Sequence, residues 1–389
     1  MIHKYKPLVE SSRPSVMGRR FIFALVSGMV LGFTLSFLAI YATNQEQPFP
    51  FKLSLSDPHY HSDMESAAGP EIDVGSHHHD EIFHRLEDTS VADQLFREVR
   101  VLCWVMTSPQ NHAKKARHVK ATWGKRCTIL LFMSSEEDNT LPAIQLPVKE
   151  GRNYLWAKTK ESFKYVYEHY RDQADWFLKA DDDTYVILEN LRYMLYSYKW
   201  TEPIYFGCRF KPFVKQGYMS GGAGYVLSKE ALRRFVEDGL PDKNKCRPDH
   251  DGSEDVEMGK CLEKVGVVAG DTRDPHGRGR FFPFVPEHHL IPVPKDPKFW
   301  FWKYIYYDSN QGMDCCSDNA ISFHYVSPNQ MYVLEYLIYH LRPYGIAYKV
   351  ETLDGNDIDK KMEENLHNNN RFITPSSLQP QQQQESTKL

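Results

Sequence analysis

Three consecutive aspartates, Asp181, Asp182 and Asp183, follow directly on the apolar segment DWFLKA. Carboxylates this close repel one another, and a divalent cation bound with a phosphate-bearing substrate would relieve the repulsion, because hard cations prefer carboxylate oxygens. A solvated acidic turn is the plainer interpretation, and for an isolated triplet we would favour it. Here a strand-like segment precedes the triplet and strands alternate with helices around it, so we predict a site for a metal and a diphosphate.

A second group of residues has the chemistry to bind the phosphates. Glu150, Gly151 and Arg152 precede a predicted helix that begins near residues 153–155. A Gly-Arg turn at a helix N-terminus can bring backbone N–H groups and a guanidinium to a diphosphate. Lys158 lies one turn into the helix and would add a positive charge, although an exposed helical lysine is usually only solvated.

Strand ends and glycine turns offer further ligand contacts. Met106 and Thr107 close a predicted strand, where a nucleotide base and ribose would lie at the edge of a doubly wound sheet. Core packing is an equal alternative for Met106 taken alone. The segment 221–224, Gly-Gly-Ala-Gly, would let the backbone approach a ligand closely, or would form a tight turn without function.

An acidic first helical turn completes the set of reactive residues. Ser253 can cap a helix that carries Glu254 and Asp255 at its start. Acidic residues are common there because of the helix dipole, so a structural role competes with a catalytic one.

The elements that must position these residues alternate between strands and helices. Apolar runs at 100–107, 128–133 and 175–180 predict strands, and apolar residues at helical spacing predict a helix over 155–170. The alternation predicts an α/β fold with a mostly parallel sheet and with sites at the carboxyl ends of its strands. We place this domain at residues 95–350.

An apolar N-terminal segment predicts a membrane anchor. Residues 21–42 are uncharged and mostly apolar, and as a helix they would rise about 33 Å, enough to cross a hydrocarbon core of about 30 Å. Arg19 and Arg20 abut the segment, so the positive-inside rule keeps residues 1–20 in the cytosol and sends the rest into the lumen. A cleaved signal peptide is the alternative, but its apolar region would be shorter.

Two polar segments flank the predicted domain. Residues 43–94 are acidic and predict a flexible stem, and residues 351–389 predict a disordered, Gln-rich tail. The whole chain has 47 basic and 51 acidic residues and a net charge of −4 at pH 7. The absence of a basic excess on the folded part argues against nucleic acid as a partner.

Seven cysteines fit the oxidising compartment that this topology implies. No C-x-x-C pair occurs, so structural disulfides are favoured over zinc or redox motifs. Cys246 and Cys261 bracket the segment that carries Asp255, and we predict that they pair. Adjacent Cys315 and Cys316 are expected to bond to two different partners, because a bond between neighbours strains the peptide. The odd count leaves at least one thiol free or bonded to another chain.

Six segments between about residues 95 and 345 resemble, in order, the core 1 galactosyltransferase branch of the Fringe-like β3-glycosyltransferases. They are VLCWVMTSPQNHAKKARHVKATWGKRC, NYLWAKTKESF, WFLKADDDTYV, YMSGGAGYVLSKEAL, EDVEMGKCLEKVGV and AISFHYVSP. The aspartate triplet is similar to the D-x-D motif of nucleotide-sugar glycosyltransferases. The resemblance implies a GT-A (Rossmann-like) catalytic domain behind one transmembrane helix, in a type II Golgi membrane protein. It also implies UDP-galactose as donor, Mn²⁺ as cofactor, and transfer to O3 of GalNAc α-linked to Ser or Thr of glycoproteins.

The same resemblance implies roles for individual residues. Asp255 takes the position of the catalytic base, and Asp181, Asp183 and His324 take those of the metal ligands. The donor-binding positions are Met106, Thr107, Glu150, Gly151, Arg152, Lys158, Asp181 and Tyr325. The acceptor-binding positions are Trp300 and Gly222, although a core tryptophan is the competing interpretation of Trp300.

Partners and rival functions follow from the same segments. Besides GalNAc-bearing glycoproteins and a membrane, a homodimer and a dedicated lumenal chaperone are open as partners. A non-catalytic chaperone relative would be expected to have lost the acidic motif, which this chain keeps. A single-span adhesion or receptor protein fits an α/β domain with a carboxylate triplet poorly. Within the enzymes, another Fringe-like β3-glycosyltransferase, such as an N-acetylglucosaminyltransferase, is the nearest alternative.

Overall fold

The computed structural model describes residues 69–70, 73–75, 84 and 87–346. The predicted cytosolic tail, membrane anchor and C-terminal tail, and most of the predicted stem, lie outside these residues. Within the described part of the chain, no helix combines the length and the apolar character that crossing a membrane requires.

Short strands and helices alternate along the described chain. The strands are β1 Val101–Met106, β2 Ile129–Ser134, β3 Ala143–Gln145, β4 Trp176–Asp181, β5 Tyr185–Val186, β6 Ile204–Gly207, β7 Arg209–Phe210, β8 Tyr218–Met219, β9 Tyr225–Ser228, β10 Val268–Ala269, β11 Phe281–Phe282 and β12 Ser322–Phe323. The α-helices are α1 Ser90–Glu98, α2 Arg117–Ala121, α3 Leu155–Tyr170, α4 Leu188–Leu195, α5 Lys229–Arg233, α6 Glu254–Lys264, α7 Pro286–Leu290, α8 Trp300–Tyr304 and α9 Pro328–Glu335. Short 3₁₀ turns lie at Pro109–Asn111, Trp123–Arg126 and Arg152–Tyr154, and π-helical turns at His112–Ala116, Arg234–Gly239 and Tyr336–His340.

The main sheet has seven strands in the order β10-β6-β9-β4-β1-β2-β3. Strand β9 runs antiparallel to its neighbours β4 and β6, and the other neighbouring pairs are parallel. Strand β1 is buried along its whole length, as expected for a parallel strand covered on both faces. The predicted α/β class with a mostly parallel sheet is therefore confirmed.

Alternate residues of β1 enter two separate cores. Val101, Cys103 and Val105 pack into one, and Leu102, Trp104 and Met106 into the other, which also holds residues of α3. This alternation follows from the two-residue period of a strand. Both faces of the sheet are thus covered, which leaves the strand ends as the places where polar side chains can gather.

A second, three-stranded sheet brings distant residues to the aspartate triplet. Its order is β11-β12-β5, with β12 antiparallel to β5. Strand β5 begins two residues after Asp183, and His324 follows β12 directly. The pairing of β5 with β12 therefore brings His324 back to the triplet.

The folded domain begins before the predicted boundary at residue 95. Helix α1 starts at Ser90, its Leu95 is buried, and the Arg192 guanidinium lies 4.6 Å from the centre of the Phe96 ring. The predicted stem thus extends five residues too far, because those residues form the first turns of a helix that packs on the domain.

The cysteine pairing agrees with the sequence in part. Cys246 is bonded to Cys261, and Cys103 to Cys127. Cys315 is bonded to Cys316, so the expectation of two separate partners for this pair is wrong. The physical reason is that the other two bonds use four cysteines, and the remaining one, Cys208, is a buried free thiol.

Candidate active site

Two carboxylates and an imidazole meet at the carboxyl end of β4. Each of Asp181, Asp183 and His324 offers one ligand atom to a group whose atoms lie within 4.8 Å of one another. His324 Nε2 is 3.2 Å from Asp183 Oδ1 and 3.9 Å from Asp181 Oδ2. Burial opposes protonation of His324, but the two carboxylates outweigh it and raise the pKa of the imidazole. The fold thus brings together the three residues that were predicted to be metal ligands.

Two lysines hold the outer oxygens of the same carboxylates. The fully buried ammonium of Lys179 lies 2.5 Å from Asp181 Oδ1 and donates to the Gly221 carbonyl at 3.0 Å. Burial disfavours the charged form of Lys179, yet Asp181 and Glu254 more than compensate and raise its pKa. Lys115 Nζ lies 3.3 Å from Asp183 Oδ2. Positive charge within the fold thus offsets part of the repulsion between the aspartates.

The middle aspartate points elsewhere. Asp182 Oδ2 accepts hydrogen bonds from Thr107 Oγ1 at 2.8 Å and from Asn111 Nδ2 at 2.9 Å. Burial, and then the neighbouring Asp183 charge, raise the pKa of Asp182. Asp182 therefore ties the end of β4 to the end of β1 and is not a member of the metal-ligand cluster.

Asp255 lies across the glycine turn from this cluster, at the start of α6. Its Oδ1 accepts from the Val256 N–H at 2.9 Å and its Oδ2 from the Gly221 N–H at 3.3 Å. Loss of hydration, and then the adjacent Glu254 charge, raise the pKa of Asp255 to about 6. A carboxylate with such a pKa can accept a proton near neutral pH, which is the property of a general base.

Glu254 is held in the structure rather than aimed at a ligand. Its Oε1 accepts hydrogen bonds from Thr159 Oγ1 at 2.8 Å and from the Tyr225 hydroxyl at 2.6 Å. A Cβ at Gly221 would come 2.8 Å from Glu254 Oε2, so the glycine is needed for this approach. Ser253 occupies the N-cap position, but its side chain makes no capping hydrogen bond.

Lys158 is engaged by the protein rather than free for a phosphate. Its ammonium donates to both oxygens of Glu150, at 2.7 and 2.6 Å, and to the Thr107 carbonyl at 2.7 Å. Burial, opposed by Glu150, lowers the pKa of Lys158. Gly151 has a φ of 105°, and both it and Arg152 are exposed beside this ion pair. The predicted donor-binding residues at 150–152 and Lys158 thus lie together, next to the end of β1.

Met106 and Tyr325 flank the metal-ligand cluster. Met106 is paired in register with Asp181 across β1 and β4. The Tyr325 ring stacks on His324, with ring centres 3.9 Å apart, and Tyr325 has a φ of 59°. A non-glycine residue in the left-handed region marks a constrained position of the kind found at functional sites.

Gly222 and Trp300 occupy different surroundings. A Cβ at Gly222 would overlap the His324 ring, so this glycine is required for the close approach of the turn to the imidazole. Trp300 lies in an aromatic group with Phe210 and Phe284, at ring-centre distances of 5.6 and 5.8 Å, and is partly exposed. Phe284 stacks in turn on Tyr325 at 6.2 Å.

Sequence reasoning did not identify several polar residues of this site. They are Asn111, Lys115, Thr159, Lys179 and Tyr225. For Lys179 a signal was present, since a lysine inside an otherwise apolar strand requires a buried partner. For the others no local signal exists, because their partners are distant along the chain: 68 to 95 residues for Asn111, Lys115 and Thr159, and 29 residues for Tyr225.

Comparison with known proteins agrees with the fold and site. A family profile described as Fringe-like matches residues 97–278. The chain is 52% identical over 280 residues to glycoprotein-N-acetylgalactosamine 3-beta-galactosyltransferase 1 of Xenopus laevis, an alignment that covers 72% of this chain and 76% of the relative. It is also 27% identical over 167 residues to a beta-1,3-glucosyltransferase of Mus musculus, covering 42% of this chain and 33% of the relative.

Likeness to solved structures is weaker. A crystal structure of the galactosyltransferase LgtC in complex with donor and acceptor sugar analogues is 12% identical, with a TM-score of 0.35 over 68% of this chain and 95% of that one. A glycosyltransferase involved in glycosylation of the PBCV-1 major capsid is 15% identical, with a TM-score of 0.33 over 49% of this chain and 88% of that one. Both scores are too low for any inference about this chain.

The matched profile and the α/β sheet define the class as a Fringe-like protein with an acidic cluster at its strand ends. The extent and identity of the Xenopus alignment define the family more narrowly. The chain belongs to the family of glycoprotein-N-acetylgalactosamine 3-beta-galactosyltransferases.

Proposed function

We propose that this chain is an inverting GT-A glycosyltransferase that moves galactose from UDP-galactose to O3 of GalNAc α-linked to Ser or Thr of glycoproteins. The observation that carries the proposal is the arrangement of Asp255 next to the cluster of Asp181, Asp183 and His324, within a chain of this family. The product would be the core 1 disaccharide of O-linked glycans.

The cluster fits a divalent cation such as Mn²⁺. Two carboxylates and one imidazole are a donor set that Mn²⁺ accepts, and they leave coordination positions for diphosphate oxygens and water. When bound, the cation would neutralise negative charge that develops on the departing UDP. Asp181 Oδ2 and Asp183 Oδ1 are the oxygens nearest His324, and with its Nε2 they would hold the ion.

Asp255 would act as the base. In an inverting transfer the acceptor O3 attacks the anomeric carbon of galactose as the bond to UDP breaks, and the O3 proton passes to a carboxylate. Asp255 has a raised pKa and is held by two backbone N–H groups, so its carboxylate is oriented before substrate binds. Glu254 would not replace it, because its side chain is buried and its Oε1 accepts hydrogen bonds from Thr159 and Tyr225.

Other residues would bind the two substrates. Met106 and Thr107 lie where the base and ribose of the donor would meet the sheet edge, and Tyr325 lies against the metal-ligand imidazole. Arg152 is exposed beside the Glu150–Lys158 pair and would contact the diphosphate. Trp300 would form an aromatic wall for the acceptor sugar, and Gly222, in the turn against His324, would also contact the acceptor.

The proposal includes the location and partners of the protein. The uncharged segment 21–42 would anchor it as a single-pass type II protein of the Golgi membrane, with the catalytic domain in the lumen. Its partners would be GalNAc-bearing glycoproteins, and a homodimer or a dedicated lumenal chaperone are further proposals. Mature protein isolated from cells should still contain Arg19 and Arg20, and an N-terminus mapped beyond residue 42 would contradict the anchor.

A donor and acceptor screen on the purified full chain tests the activity. UDP-galactose, UDP-glucose and UDP-N-acetylglucosamine are compared with Mn²⁺, on a GalNAc-glycopeptide and on the same peptide without sugar. We expect transfer of galactose to the glycopeptide alone, and loss of transfer after chelation. Faster transfer from UDP-glucose or UDP-N-acetylglucosamine would point to another β3-glycosyltransferase, and no transfer from any donor would favour the non-catalytic relative.

A further inference from the structure

A cavity of about 80 Å³ lies beside α8 and has a positive lining. Four arginines face it, Arg209, Arg273, Arg278 and Arg280, against the two aspartates Asp308 and Asp314. One water needs about 10–15 Å³ of such volume, so the cavity has room for several waters or for one small oxyanion. The catalytic residues described above do not line it.

Two of the arginines are already hydrogen-bonded to the protein. Arg209 donates to the Gln216 carbonyl and to the Tyr307 hydroxyl at 3.0 Å. Arg273 makes a two-pronged contact with Asp271, the shorter bond being 2.8 Å, and lies 3.7 Å from the centre of the Tyr307 ring. These contacts leave Arg209 and Arg273 with few N–H donors for a ligand.

Arg280 is different. Its buried Nε has no hydrogen-bond partner among the described residues. Burial lowers the pKa of its guanidinium, while Asp274 and Asp271 favour the charged form without being bonded to it. Asp274 Oδ1 is instead occupied by the backbone N–H groups of His276 and Arg278. Arg280 as a whole is half-buried and lines the cavity, and a buried N–H group without an acceptor calls for a partner.

Two neighbouring groups complete the lining. Arg278 makes only long contacts, at 3.9 Å, with Asp314 and Asp318, whose side chains are 80% and 95% exposed and so contribute little. His289 is 4% exposed, and its Nε2 has no hydrogen-bond partner among the described residues. An anion in the cavity could accept hydrogen bonds from Arg280 and Arg278, and from His289 after a small movement of its ring.

The cavity is joined to the acceptor wall by one short helix. Phe301 and Ile305, in and just after α8, line the cavity, while Trp300 of the same helix contacts Phe210 and Phe284. A polypeptide whose sugar lay against Trp300 would therefore have flanking residues within reach of the far side of α8. Carboxylates are the anionic groups that such a polypeptide carries, and arginine binds them with paired N–H donors.

We propose that this cavity is a subsite that binds the carboxylate of an aspartate or glutamate flanking the glycosylated residue of the acceptor, through Arg280 with Arg278. The inference rests on the proposed function, since it assigns part of the acceptor to a second site. It makes acidic acceptors better substrates than neutral ones at one defined offset from the sugar.

A matched series of acceptors tests this subsite on the full chain. GalNAc-glycopeptides of one sequence carry a single glutamate moved stepwise along each side of the glycosylated threonine, each paired with its glutamine counterpart. The readout is the ratio of kcat/KM for the glutamate and glutamine peptides, which cancels losses common to both. We expect one offset at which the ratio is about tenfold, equivalent to about 1.4 kcal/mol, and carried by KM. Arg280→Met should reduce that ratio to about one.

Controls separate this outcome from others. Arg171→Gln removes a surface arginine elsewhere on the domain and should leave the ratio unchanged. If Arg280→Met does not fold, as judged from its melting temperature, Arg278→Gln is used and should lower the ratio in the same direction. A ratio near one at every offset, or a ratio that survives both substitutions, overturns the proposal. Stabilisation by inorganic sulfate without any peptide preference would mean that the cavity takes a free anion only, which also overturns it. Absence of transfer to every peptide would instead refute the proposed function.

Discussion

The role of Asp255 can be tested by Asp255→Asn, a change that keeps the size of the side chain and removes its charge. General-base assistance is typically worth about 10²–10⁴ in rate, or roughly 3–5 kcal/mol of barrier. We therefore expect kcat to fall by that factor. Affinity for UDP should hardly change, because the residues proposed to bind UDP are elsewhere.

The structure also predicts what this substitution does to stability. The asparagine oxygen can still accept from the Val256 N–H, but its amide group cannot accept from the Gly221 N–H as Oδ2 does at 3.3 Å. Leaving that donor without a partner costs about 1–3 kcal/mol. Removal of a charge that repels Glu254 offsets part of this cost. The melting temperature should thus fall by a few degrees at most.

A second substitution tests the same carboxylate through pH. A base must be deprotonated, so kcat/KM should rise with pH through the pKa of Asp255, which is about 6, and then level off. The Glu254 charge is one cause of that raised pKa. Glu254→Gln should therefore lower the pKa of Asp255 and move the acid limb of the profile to lower pH. The amide oxygen of the introduced glutamine could still accept from Thr159 and Tyr225, so the fold should persist.

Either of two results would contradict the role of Asp255 as the base. Near-normal kcat in a folded Asp255→Asn variant would return Asp255 to a purely structural role at the start of α6. An acid limb that does not move in Glu254→Gln would mean that another group sets the pH dependence. Measuring kcat, UDP binding and melting temperature on one preparation of each variant keeps these outcomes apart.

Other expected outcomes concern the metal cluster and the core. Asp183→Asn should weaken Mn²⁺ binding, measured by calorimetry, while the melting temperature stays near that of the parent. Lys179→Met should lower the free energy of unfolding by about 3 kcal/mol, because Asp181 then loses its buried, positively charged partner. Urea unfolding measures this change. Chelation of divalent ions should abolish transfer but leave the circular dichroism spectrum unchanged. Burial lowers the pKa of His289 to about 3, so as the pH falls the imidazole binds a proton in the unfolded chain before it does in the folded one. The stability of the fold should therefore decrease as the pH drops from about 6.5 towards 3, and should decrease less in His289→Phe. Thermal unfolding at several pH values measures this.

The main sheet was predictable because its central strands are continuous apolar runs. Residues 100–107 and 175–180 were set as strands, and β1 and β4 lie at Val101–Met106 and Trp176–Asp181. The helix expected over 155–170 is α3, Leu155–Tyr170, because its apolar face repeats over four turns. Continuous apolar runs and long periodic segments thus carry enough local information to set the type of an element and to place its ends to within about one residue.

The second sheet could not be predicted from local pattern. Its strands β5, β11 and β12 are two residues long, which is too short for any periodicity to be read. Yet the pairing of β12 with β5 is what brings His324 to Asp183. His324 is predicted at the site only through resemblance to a family, whereas the strand before the triplet predicts a metal site at residues 181–183 without selecting Asp181 and Asp183.

Lys158 shows a different limit of sequence reasoning. Its position one turn into a helix suggested a solvated cation or a phosphate ligand, but its ammonium is buried and bonded to Glu150 and to the Thr107 carbonyl. Glu150 lies in the irregular turn before α3, and no spacing rule pairs such a residue with a helix. The pair joins the end of β1 to the start of α3, so Lys158 holds together the two segments proposed to meet the donor.

The three adjacent aspartates differ in role because of where a strand ends. Asp181 is the last residue of β4, and Asp182 and Asp183 lie in the turn that follows, where the Thr184 N–H donates to the Asp181 carbonyl at 3.1 Å. Asp181 and Asp183 accordingly both approach His324, while Asp182 turns to Thr107 and Asn111. Lys179 lies two residues before Asp181 in β4, on the same side of the strand, and reaches Asp181 Oδ1, which leaves Oδ2 towards the imidazole. The strand thus positions the lysine that orients Asp181, and the turn after the strand brings Asp183 to the same imidazole.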